Sequence, residues 1–409
     1  MTKHPITGDQ RFVKSINRNV LLRLLMEEPA QSRSALAERS GLTKSTVGLL
    51  TKELLEEGWL IEDSVAATGS LGRRPTPLRI AGRGLVLIGA ELGIDSIRVV
   101  STSLNGLVQD SQLLPLHDRS PDVVCHQLVE LVTSVSARVT SAGVKLLGIG
   151  VALPGAVDAT SGVIEFAPNL GWRNVDVGRR LARELAVSGL GQVPVYCHNE
   201  ADVAAIGETS FGSRPIDDPL VFVSCGVGVG AGIVLHGALF AGSTGAAGEI
   251  GHNILHIDGL PCSCGRRGCA EAYVGLKGVA QAAGALHHGE VDRAKLLAQL
   301  AGARAQRTSK AFASAGSALG VMLQNVWTTF NPKVIVLGGE SVTIGGAHFL
   351  DSAVDRLTRF GIDAGSTPPQ IRTAKYGDLA AAVGGAAYAL HALLEPFGSG
   401  RGASKVRPV

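Results

Sequence analysis

Apolar positions recur at helical spacing through the first sixty residues of the chain. The pattern predicts a helix over 18–25 and a longer one over 44–57, in which Val47, Leu50 and Leu54 share one face. A shorter helix fits between these two. Three helices in this order are typical of a helix-turn-helix, and a small helical protein-interaction module is the alternative.

The segments between and after these helices strengthen that interpretation. The short helix covers 34–40 and ends at Gly41, and Thr43 can cap the long helix because its hydroxyl accepts a backbone N–H. Residues 59–61 then favour a strand, and a loop rich in Gly and Pro leads to extended chain near residue 80. Residues 1–80 are therefore predicted to form a winged helix-turn-helix domain.

Beyond residue 81, short apolar runs alternate with helical stretches. The apolar runs have the length of buried strands and cover 85–90, 146–153, 220–223 and 334–337. The helical stretches between them include 122–140 and 201–208. Such alternation predicts α/β architecture, and no sequence repeat with a period of 20 to 50 residues accompanies it.

Composition and charge narrow the class of protein. Of the 409 residues, 45% are hydrophobic and 18% are charged, which excludes a disordered chain. The net charge of +3 lies in residues 1–80, where 12 Lys and Arg face 9 Asp and Glu. The longest apolar run, 379–390, is shorter than the roughly 20 residues of a membrane span, and the N-terminus has no apolar core of a secretory signal. We expect a cytoplasmic protein without a membrane partner.

The basic N-terminal domain carries side chains suited to operator DNA. Small and polar residues at the start of a recognition helix can reach base edges in the major groove. Two adjacent arginines in the loop that follows suit phosphates or a narrow minor groove. The predicted DNA-contacting residues are Arg33, Thr43, Lys44, Ser45, Thr46, Arg73 and Arg74.

One histidine and three cysteines crowd into residues 248–271. The sequence GEIGH ends at His252, and CSCGRRGCAE contains Cys262, Cys264 and Cys269. Thiolate and imidazole are the ligands that tetrahedral Zn²⁺ prefers, and four protein ligands leave no open position for a reactive water. The segment predicts a structural zinc site.

Together these motifs resemble the ROK family of sugar-responsive repressors and sugar kinases, over nearly the whole chain. The resemblance rests on the winged helix, the CxCGxxGCxE box with its GEIGH, and four further segments. These are GIGVALPGAVDATSGVIEFAPNLGW, HNEADVAAIGE, CGVGVGAGIVLHGALFAGSTGAAGEIGH and NPKVIVLGG. The family implies a two-lobed actin-like (ribonuclease H-like) fold: a first lobe over 81–198 with a helix at 379–396 packing back onto it, and a second lobe over 199–378 with the zinc site. Residues 397–409 are expected to be a disordered tail.

The same resemblance implies a sugar site in the cleft between the lobes and a homo-oligomer, either dimer or tetramer. Carried over position by position, the sugar-binding residues are Asn169, Asn199, Glu200, Glu249, His252 and Glu271. Carboxylates combined with amide and imidazole groups suit vicinal hydroxyls. The family implies that His252 binds zinc with one ring nitrogen and a sugar hydroxyl with the other, so the ion orients the sugar site.

Two departures from the kinases of this family predict that phosphoryl transfer is lost and that no catalytic residue remains. Glu200 stands where the kinases place a general-base aspartate, and a misplacement of roughly 1 Å can cost on the order of 100-fold in rate. The kinases wrap phosphate with a DxGGTK-like turn, whereas residues 91–96 here contain one Gly and place Asp95 near the phosphate position. A negative charge there opposes nucleotide binding.

Three hypotheses follow. The first is a dimeric, zinc-stabilised repressor that a sugar releases from its operator. The second is an ATP-dependent sugar kinase with an accessory DNA-binding domain, and the third is a constitutive DNA-binding protein whose cleft takes no ligand. Glucose, xylose, N-acetylglucosamine and phosphorylated or disaccharide ligands all stay open as effectors, because the family shares its hydroxyl-binding residues.

Overall fold

The N-terminal domain consists of three helices followed by a two-stranded antiparallel sheet. The computed structural model describes residues 10–63, 76–140, 143–212, 217–363 and 365–394. The elements of this domain are α1 (Gln10–Glu27), α2 (Arg33–Ser40), α3 (Lys44–Glu56), β1 (Leu60–Glu62) and β2 (Leu78–Ile80). The predicted winged helix-turn-helix is confirmed. The two arginines of the predicted wing, Arg73 and Arg74, lie outside the described residues.

The first helix contains the predicted span 18–25 and extends beyond it, from Gln10 to Glu27. Its polar N-terminal half lies against α3: the Lys14 Nζ is 2.7 Å from the Glu53 Oε1, and Arg18 pairs with Glu57. Because ion pairs rather than apolar contacts position this half, the hydrophobic pattern did not reveal it.

The first lobe contains eight strands and two helices. Its elements are β3 (Leu85–Leu92), β4 (Ser96–Ser103), β5 (Val108–Pro115), α4 (Pro121–Thr140), β6 (Lys145–Leu153), β7 (Ala156–Asp158), β8 (Val163–Ala167), β9 (Trp172–Asp176), α5 (Val177–Val187) and β10 (Val195–Asn199). Five of the strands form one sheet in the order β10-β6-β3-β4-β5, and β7, β8 and β9 form a small antiparallel sheet.

The second lobe follows directly. Its elements are α6 (Glu200–Ser210), β11 (Leu220–Cys225), β12 (Val229–Leu235), β13 (Ala238–Leu239), a 3-10 turn (Ile250–His252), α7 (Glu271–Val274), α8 (Leu276–Ala283), β14 (Leu286–His287), β15 (Glu290–Val291), α9 (Arg293–Ala301), α10 (Ala305–Phe330), β16 (Val334–Gly338), α11 (Glu340–Asp363) and β17 (Gln370–Thr373). A 3-10 turn (Gly377–Leu379) then leads into α12 (Ala380–Leu394). The second five-stranded sheet has the order β13-β12-β11-β16-β17.

The two large sheets share one topology. In each, the first strand is central, the second and third strands pair antiparallel beside it, and two later strands continue the other side in parallel. Each sheet therefore has the order 3-2-1-4-5 when its strands are numbered along the chain. The lobes repeat a single α/β unit although the sequence shows no repeat.

The C-terminal helix α12 lies in the core of the first lobe, against β3, β6 and α6. Small residues allow this close approach: a Cβ on Gly150 of β6 would lie 1.8 Å from the carbonyl oxygen of Gly385. The helical span Gly377–Leu394 is long and apolar enough to cross a membrane, and 61% of it is buried inside the protein. Its packing is that of a core helix.

The DNA-binding domain shares its hydrophobic core with α12. Leu21 and Leu25 of α1 are buried in the same cluster as Leu390 and Leu394 of α12. In addition, the Arg23 Nη2 donates a hydrogen bond of 3.1 Å to the carbonyl oxygen of Leu394. The winged helix is thus packed against the body of the protein rather than joined to it by a linker alone.

Candidate functional site

The predicted metal-binding residues converge on one point of the second lobe. The side-chain donor atoms of His252, Cys262, Cys264 and Cys269 all lie within 4.8 Å of one another. The Cys264 and Cys269 sulfurs are 3.8 Å apart, and the Cys262 sulfur is 3.7 Å from the His252 Nδ1. A tetrahedral ion with Zn–S bonds of ~2.3 Å and Zn–N bonds of ~2.0 Å requires separations of roughly 3.8 and 3.6 Å. The four donors therefore fit an ion of this size.

Tight turns in the intervening loop bring these donors together. The backbone N–H of Gly265 donates to the carbonyl oxygen of Cys262 at 3.1 Å, and that of Cys262 donates to the carbonyl oxygen of Arg266 at 2.9 Å. Gly268 has a φ of +79°, and a Cβ there would lie 1.7 Å from the carbonyl oxygen of His256. Only glycine allows the loop to close so tightly before Cys269.

His252 faces both the metal cluster and the cleft. While its Nδ1 points to Cys262, its Nε2 lies 3.7 Å from the Glu249 Oε2. On the other side of the loop, the Glu271 Oε1 accepts hydrogen bonds from Ser263 Oγ at 2.6 Å and from Cys262 Sγ at 3.5 Å. The loop that holds the four donors therefore also positions two of the predicted sugar-binding carboxylates.

Asn199 and Glu200 lie at the junction between β10 and α6. The Asn199 Oδ1 caps α6 by accepting the backbone N–H groups of Ala201 and Asp202. Its Nδ2 donates to the carbonyl oxygen of Gly155 at 2.9 Å and to the Glu200 Oε2 at 3.2 Å. The two side chains are half-buried at the edge of the first sheet, where the lobes meet.

Asn169 approaches the same region from the turn after β8. A Cβ added to Gly228 would lie 3.2 Å from the Glu271 Oε2 and 3.5 Å from the Asn169 Nδ2. The Glu271 Oε2 also accepts the backbone N–H of Val229 at 3.1 Å. Glycine at position 228 thus leaves room for both polar side chains beside the Gly-rich strand.

Carboxyl groups from both lobes gather in this cleft, where burial first and the neighbouring carboxyl groups second raise the pKa of Glu200 and Glu91. Burial raises the pKa of Glu200 to about 8, and the nearby charges of Glu91, Glu249 and Asp202 also raise it. Burial likewise raises the pKa of Glu91 to about 7, against the effect of Arg98. A side chain at the position of the kinase base therefore holds its proton at neutral pH, unlike a general base.

A network of charged side chains joins the lobes beside the residue 91–96 turn. Arg293, the first residue of α9, pairs with Asp95 of this turn and with Glu340 at the start of α11. Gly339, just before Glu340, has a φ of +91°, and a Cβ there would lie 2.7 Å from the backbone of Cys225. Close backbone packing accounts for this glycine without a phosphate ligand.

At the other end of the molecule, the start of α3 faces outward. Thr43, Lys44 and Ser45 are exposed, and Thr46 is half-buried. The Thr43 Oγ1 caps α3 by accepting the backbone N–H of Thr46 at 3.2 Å, as the sequence predicts. Arg33, the first residue of α2, pairs with Glu62 of β1, with 2.8 Å between the Arg33 Nη2 and the Glu62 Oε1.

Four residues in these regions were not predicted from the sequence: Leu49, Arg293, His198 and Asp202. Leu49 projects from α3 with 58% of its surface exposed, and Arg293 bridges the lobes. His198 and Asp202 form a buried pair with 3.2 Å between the Nδ1 and the Oδ2. His198 lies near the end of β10 and Asp202 in the first turn of α6, so neither strand nor helix spacing marks them as a pair. No local pattern marks Arg293, whose partners lie far away in the sequence.

Comparison with protein families identifies both parts of the chain. The model of the ROK family matches residues 87–392, and that of the IclR helix-turn-helix domain matches residues 20–64. The xylose repressor of Bacillus subtilis (strain 168) is 31% identical over 334 residues, which cover 81% of this chain and 83% of that protein. The DNA-binding transcriptional dual regulator NagC of Escherichia coli (strain K12) is 28% identical over 342 residues, covering 81% of this chain and 82% of that protein.

Solved structures share the fold. A ROK family transcriptional regulator described as a homologue of the E. coli MLC protein superposes with a TM-score of 0.74 at 22% identity, covering 94% of this chain and 98% of that one. A ROK family glucokinase from Streptomyces griseus, in complex with glucose and AMPPNP, gives a TM-score of 0.62 at 24% identity and covers 75% of this chain and 99% of that one. The predicted actin-like, two-lobed fold is confirmed. Since the matching family model runs from β3 to α12, over well more than half of the residues, the chain belongs to the ROK family.

Proposed function

We propose that this protein is a transcriptional repressor that binds operator DNA through its winged helix and is released when a sugar enters the cleft between its lobes. The single observation that carries this proposal is the continuous core shared by α1 and α12. Because α12 also packs against α6, which begins at the cleft, a rearrangement of the lobes acts directly on the position of the DNA-binding domain. A merely accessory DNA-binding module would not need this contact.

Release requires that the sugar binds one arrangement of the lobes better than the other, since equal affinity for both would shift nothing. The two winged helices of a dimer must match two half-sites on one face of the duplex. If their separation changes by a few ångströms, one of the two winged helices loses its contacts with its half-site. We therefore propose a homo-oligomer, dimer or tetramer, acting on a pseudo-palindromic operator in the cytoplasm.

DNA contacts are assigned to the exposed start of α3, with Thr43, Lys44, Ser45 and Thr46 facing base edges. The two adjacent arginines, Arg73 and Arg74, are proposed to contact DNA phosphates or the minor groove. Arg33 is retained as a contact at the edge of the interface, where its pairing with Glu62 orients the guanidinium.

Zinc is the proposed occupant of the four-donor cluster, held by the Nδ1 of His252 and the sulfurs of Cys262, Cys264 and Cys269. When bound, the ion supplies a fixed crosslink for the loop and has no open coordination position. The loop orients three groups toward the cleft: the Nε2 of His252 and the carboxyl groups of Glu249 and Glu271. Asn199 and Asn169 complete the set of proposed sugar contacts, with Glu200 beside them.

The effector is proposed to be a neutral, non-phosphorylated sugar. Glu200, Glu249 and Glu271 place carboxyl oxygens around the cleft, which suit hydroxyl groups and offer no positive charge to a phosphate group. Similar proteins are named xylose repressor and N-acetylglucosamine repressor. D-xylose and N-acetyl-D-glucosamine are therefore the first candidates.

Kinase activity is proposed to be lost. The interlobe network of Asp95, Arg293 and Glu340 uses the charged groups that face the nucleotide side of the cleft for contacts within the chain. Glu200, with a pKa near 8, is a poor general base at neutral pH. Both observations favour a sensor over an ATP-dependent sugar kinase.

Two measurements on the full-length protein test the proposal. Operator binding is followed by fluorescence anisotropy with D-xylose, D-glucose and N-acetyl-D-glucosamine, each also as its phosphorylated form. Release by one neutral sugar is expected, and operator affinity that no sugar changes contradicts a sugar-responsive repressor. In parallel, ADP production is measured with the same sugars and ATP, and turnover at ordinary kinase rates, of order 1 to 100 per second, would establish the kinase instead.

A further inference from the structure

Asp202 places a buried carboxylate oxygen without a partner in the wall of the cleft. The side chain lies in the first turn of α6 and is 3% exposed. Its Oδ2 is 3.2 Å from the His198 Nδ1, whereas its Oδ1 has no hydrogen-bond partner among the described residues. The same residue lines a cavity of about 20 Å³ together with Asn199 and Glu249.

Such a group calls for a hydrogen-bond donor. A buried polar atom without a partner is costly, and a carboxyl oxygen that carries no proton can only accept. Burial raises the pKa of Asp202, against the effect of His198. A cavity of this volume holds about one water-sized group, the size of a single hydroxyl. The geometry thus fits one sugar hydroxyl inserted into this cavity.

The remaining walls of the cavity offer the hydroxyl few further side chains as hydrogen-bond partners. Besides the three polar residues, the cavity is lined by backbone and small residues, among them Gly155, Gly230 and Gly248. The Asn199 amide is already committed to its helix cap and to the carbonyl oxygen of Gly155. Asp202 and Glu249 are therefore the carboxyl groups in the cavity wall that can accept from the hydroxyl, and Asp202 is the one on α6.

His198 holds Asp202 in position. The ring is 6% exposed, its Nδ1 accepts the backbone N–H of Asn199 at 2.9 Å, and it packs in a T-shaped arrangement with Tyr388 of α12, with 5.0 Å between ring centroids. One imidazole thus contacts the carboxylate, the cap residue and the helix that reaches the DNA-binding domain.

We propose that Asp202 is a further effector-binding residue that accepts a hydrogen bond from one sugar hydroxyl, with His198 as its positioning residue. The proposal rests on the proposed function, in which the cleft binds a sugar. It adds a specificity determinant: a sugar that lacks the hydroxyl at this position leaves the Asp202 Oδ1 unpaired and is rejected.

The first experiment measures sugar affinity by isothermal titration calorimetry for wild type, Asp202→Asn and a control, Thr209→Ala. D-xylose, D-glucose and N-acetyl-D-glucosamine serve as probes. The Thr209 hydroxyl contacts only carbonyl oxygens of its own helix, so its removal should change affinity by less than about twofold. Asp202→Asn should weaken the sugar that wild type binds best by roughly 10- to 100-fold, as for other hydrogen bonds to a charged group. Melting of the ligand-free variants should stay close to that of wild type, which separates lost binding from lost folding.

The second experiment uses monodeoxy analogues of that sugar to locate the hydroxyl. Wild type should reject one analogue at least tenfold, and Asp202→Asn should no longer distinguish it from the parent sugar. His198→Ala should weaken the same contact, and His198→Asn, which keeps a polar atom near the position of the Nδ1, should restore part of it.

The outcomes separate this inference from the proposed function. If wild type binds a sugar and Asp202→Asn binds it within twofold, or keeps the same preference among deoxy analogues, Asp202 is not a ligand and only this inference is overturned. If wild type binds none of the three probes, the proposed function fails and the inference fails with it.

Discussion

The contact between β6 and α12 makes a sharp prediction about stability. In Gly150→Ala, the new Cβ would lie 1.8 Å from the carbonyl oxygen of Gly385, 2.5 Å from its carbonyl carbon and 3.2 Å from its Cα. Cβ contacts below 3.0 Å are essentially never seen, so the strand and the helix must separate by at least about 1.2 Å. All three neighbouring atoms are backbone, and no flexible side chain can move aside instead.

The expected cost is at the upper end of the range for overpacked cores, about 3 kcal/mol. At roughly 2 °C per kcal/mol for a large domain, the Tm should fall by about 6 °C. The shift should also disturb α1, since α12 carries the Leu394 carbonyl that accepts from Arg23. Differential scanning calorimetry on the full chain measures the first effect, and operator affinity measures the second.

Gly48→Ala is the matched control, because the same change from glycine to alanine should raise the Tm there instead of lowering it. Gly48 lies inside α3, and a Cβ there would meet no atom within 4 Å. Alanine in a helix interior is favoured over glycine by about 0.5 to 1 kcal/mol, so this variant should melt slightly higher than wild type. A Gly150→Ala protein that melts with wild type or above it would refute the packing argument.

Three further predictions concern the metal, the cleft and the wing. Cys264→Ser should reduce zinc, measured by mass spectrometry, from about one ion per chain to near zero and lower the Tm, whereas Cys125→Ala should keep the metal; undiminished zinc would show that the ligand set is wrong. Because the pKa of Glu200 is about 8 in the folded chain and 4.5 ordinarily, its contribution to stability is complete below pH 4.5 and is lost as pH rises through 8. The Tm of Glu200→Gln minus the Tm of wild type should therefore be larger at pH 8 than at pH 5. A Tm difference that does not change with pH would contradict the raised pKa of Glu200. Arg73→Ala with Arg74→Ala should weaken operator binding and reduce the salt slope of log K by about 2; unchanged affinity contradicts the wing assignment.

The cluster of four metal-donor side chains and the recognition helix could be predicted because their sequence signals are local. His252 and the three cysteines lie within 18 residues, and the loop between them needs only its glycines to close. Thr43 likewise caps a helix that begins at the next residue. Local hydrogen bonds and spacing are legible in one sequence, so these features were found with nearly correct boundaries.

The length of α1 and the role of Arg293 could not be predicted in this way. The polar half of α1 is held by ion pairs to α3, 39 residues further along the chain. Arg293 pairs with Asp95, which is 198 residues away. A lone charged residue carries no sign of its distant partner, and surface arginines are commonly solvated.

The sequence by itself determined the family, the fold class, the four-donor set of the His/Cys cluster and the start of the recognition helix, because the motifs that indicate them are each short, local segments of the chain. Only the tertiary structure decided that Arg23 of the DNA-binding domain meets the end of α12, 371 residues later, and that His198 joins Asp202 to Tyr388. Those contacts depend on how the two lobes and α12 pack together. Packing of this kind is a property of the whole folded chain, and no local pattern encodes it.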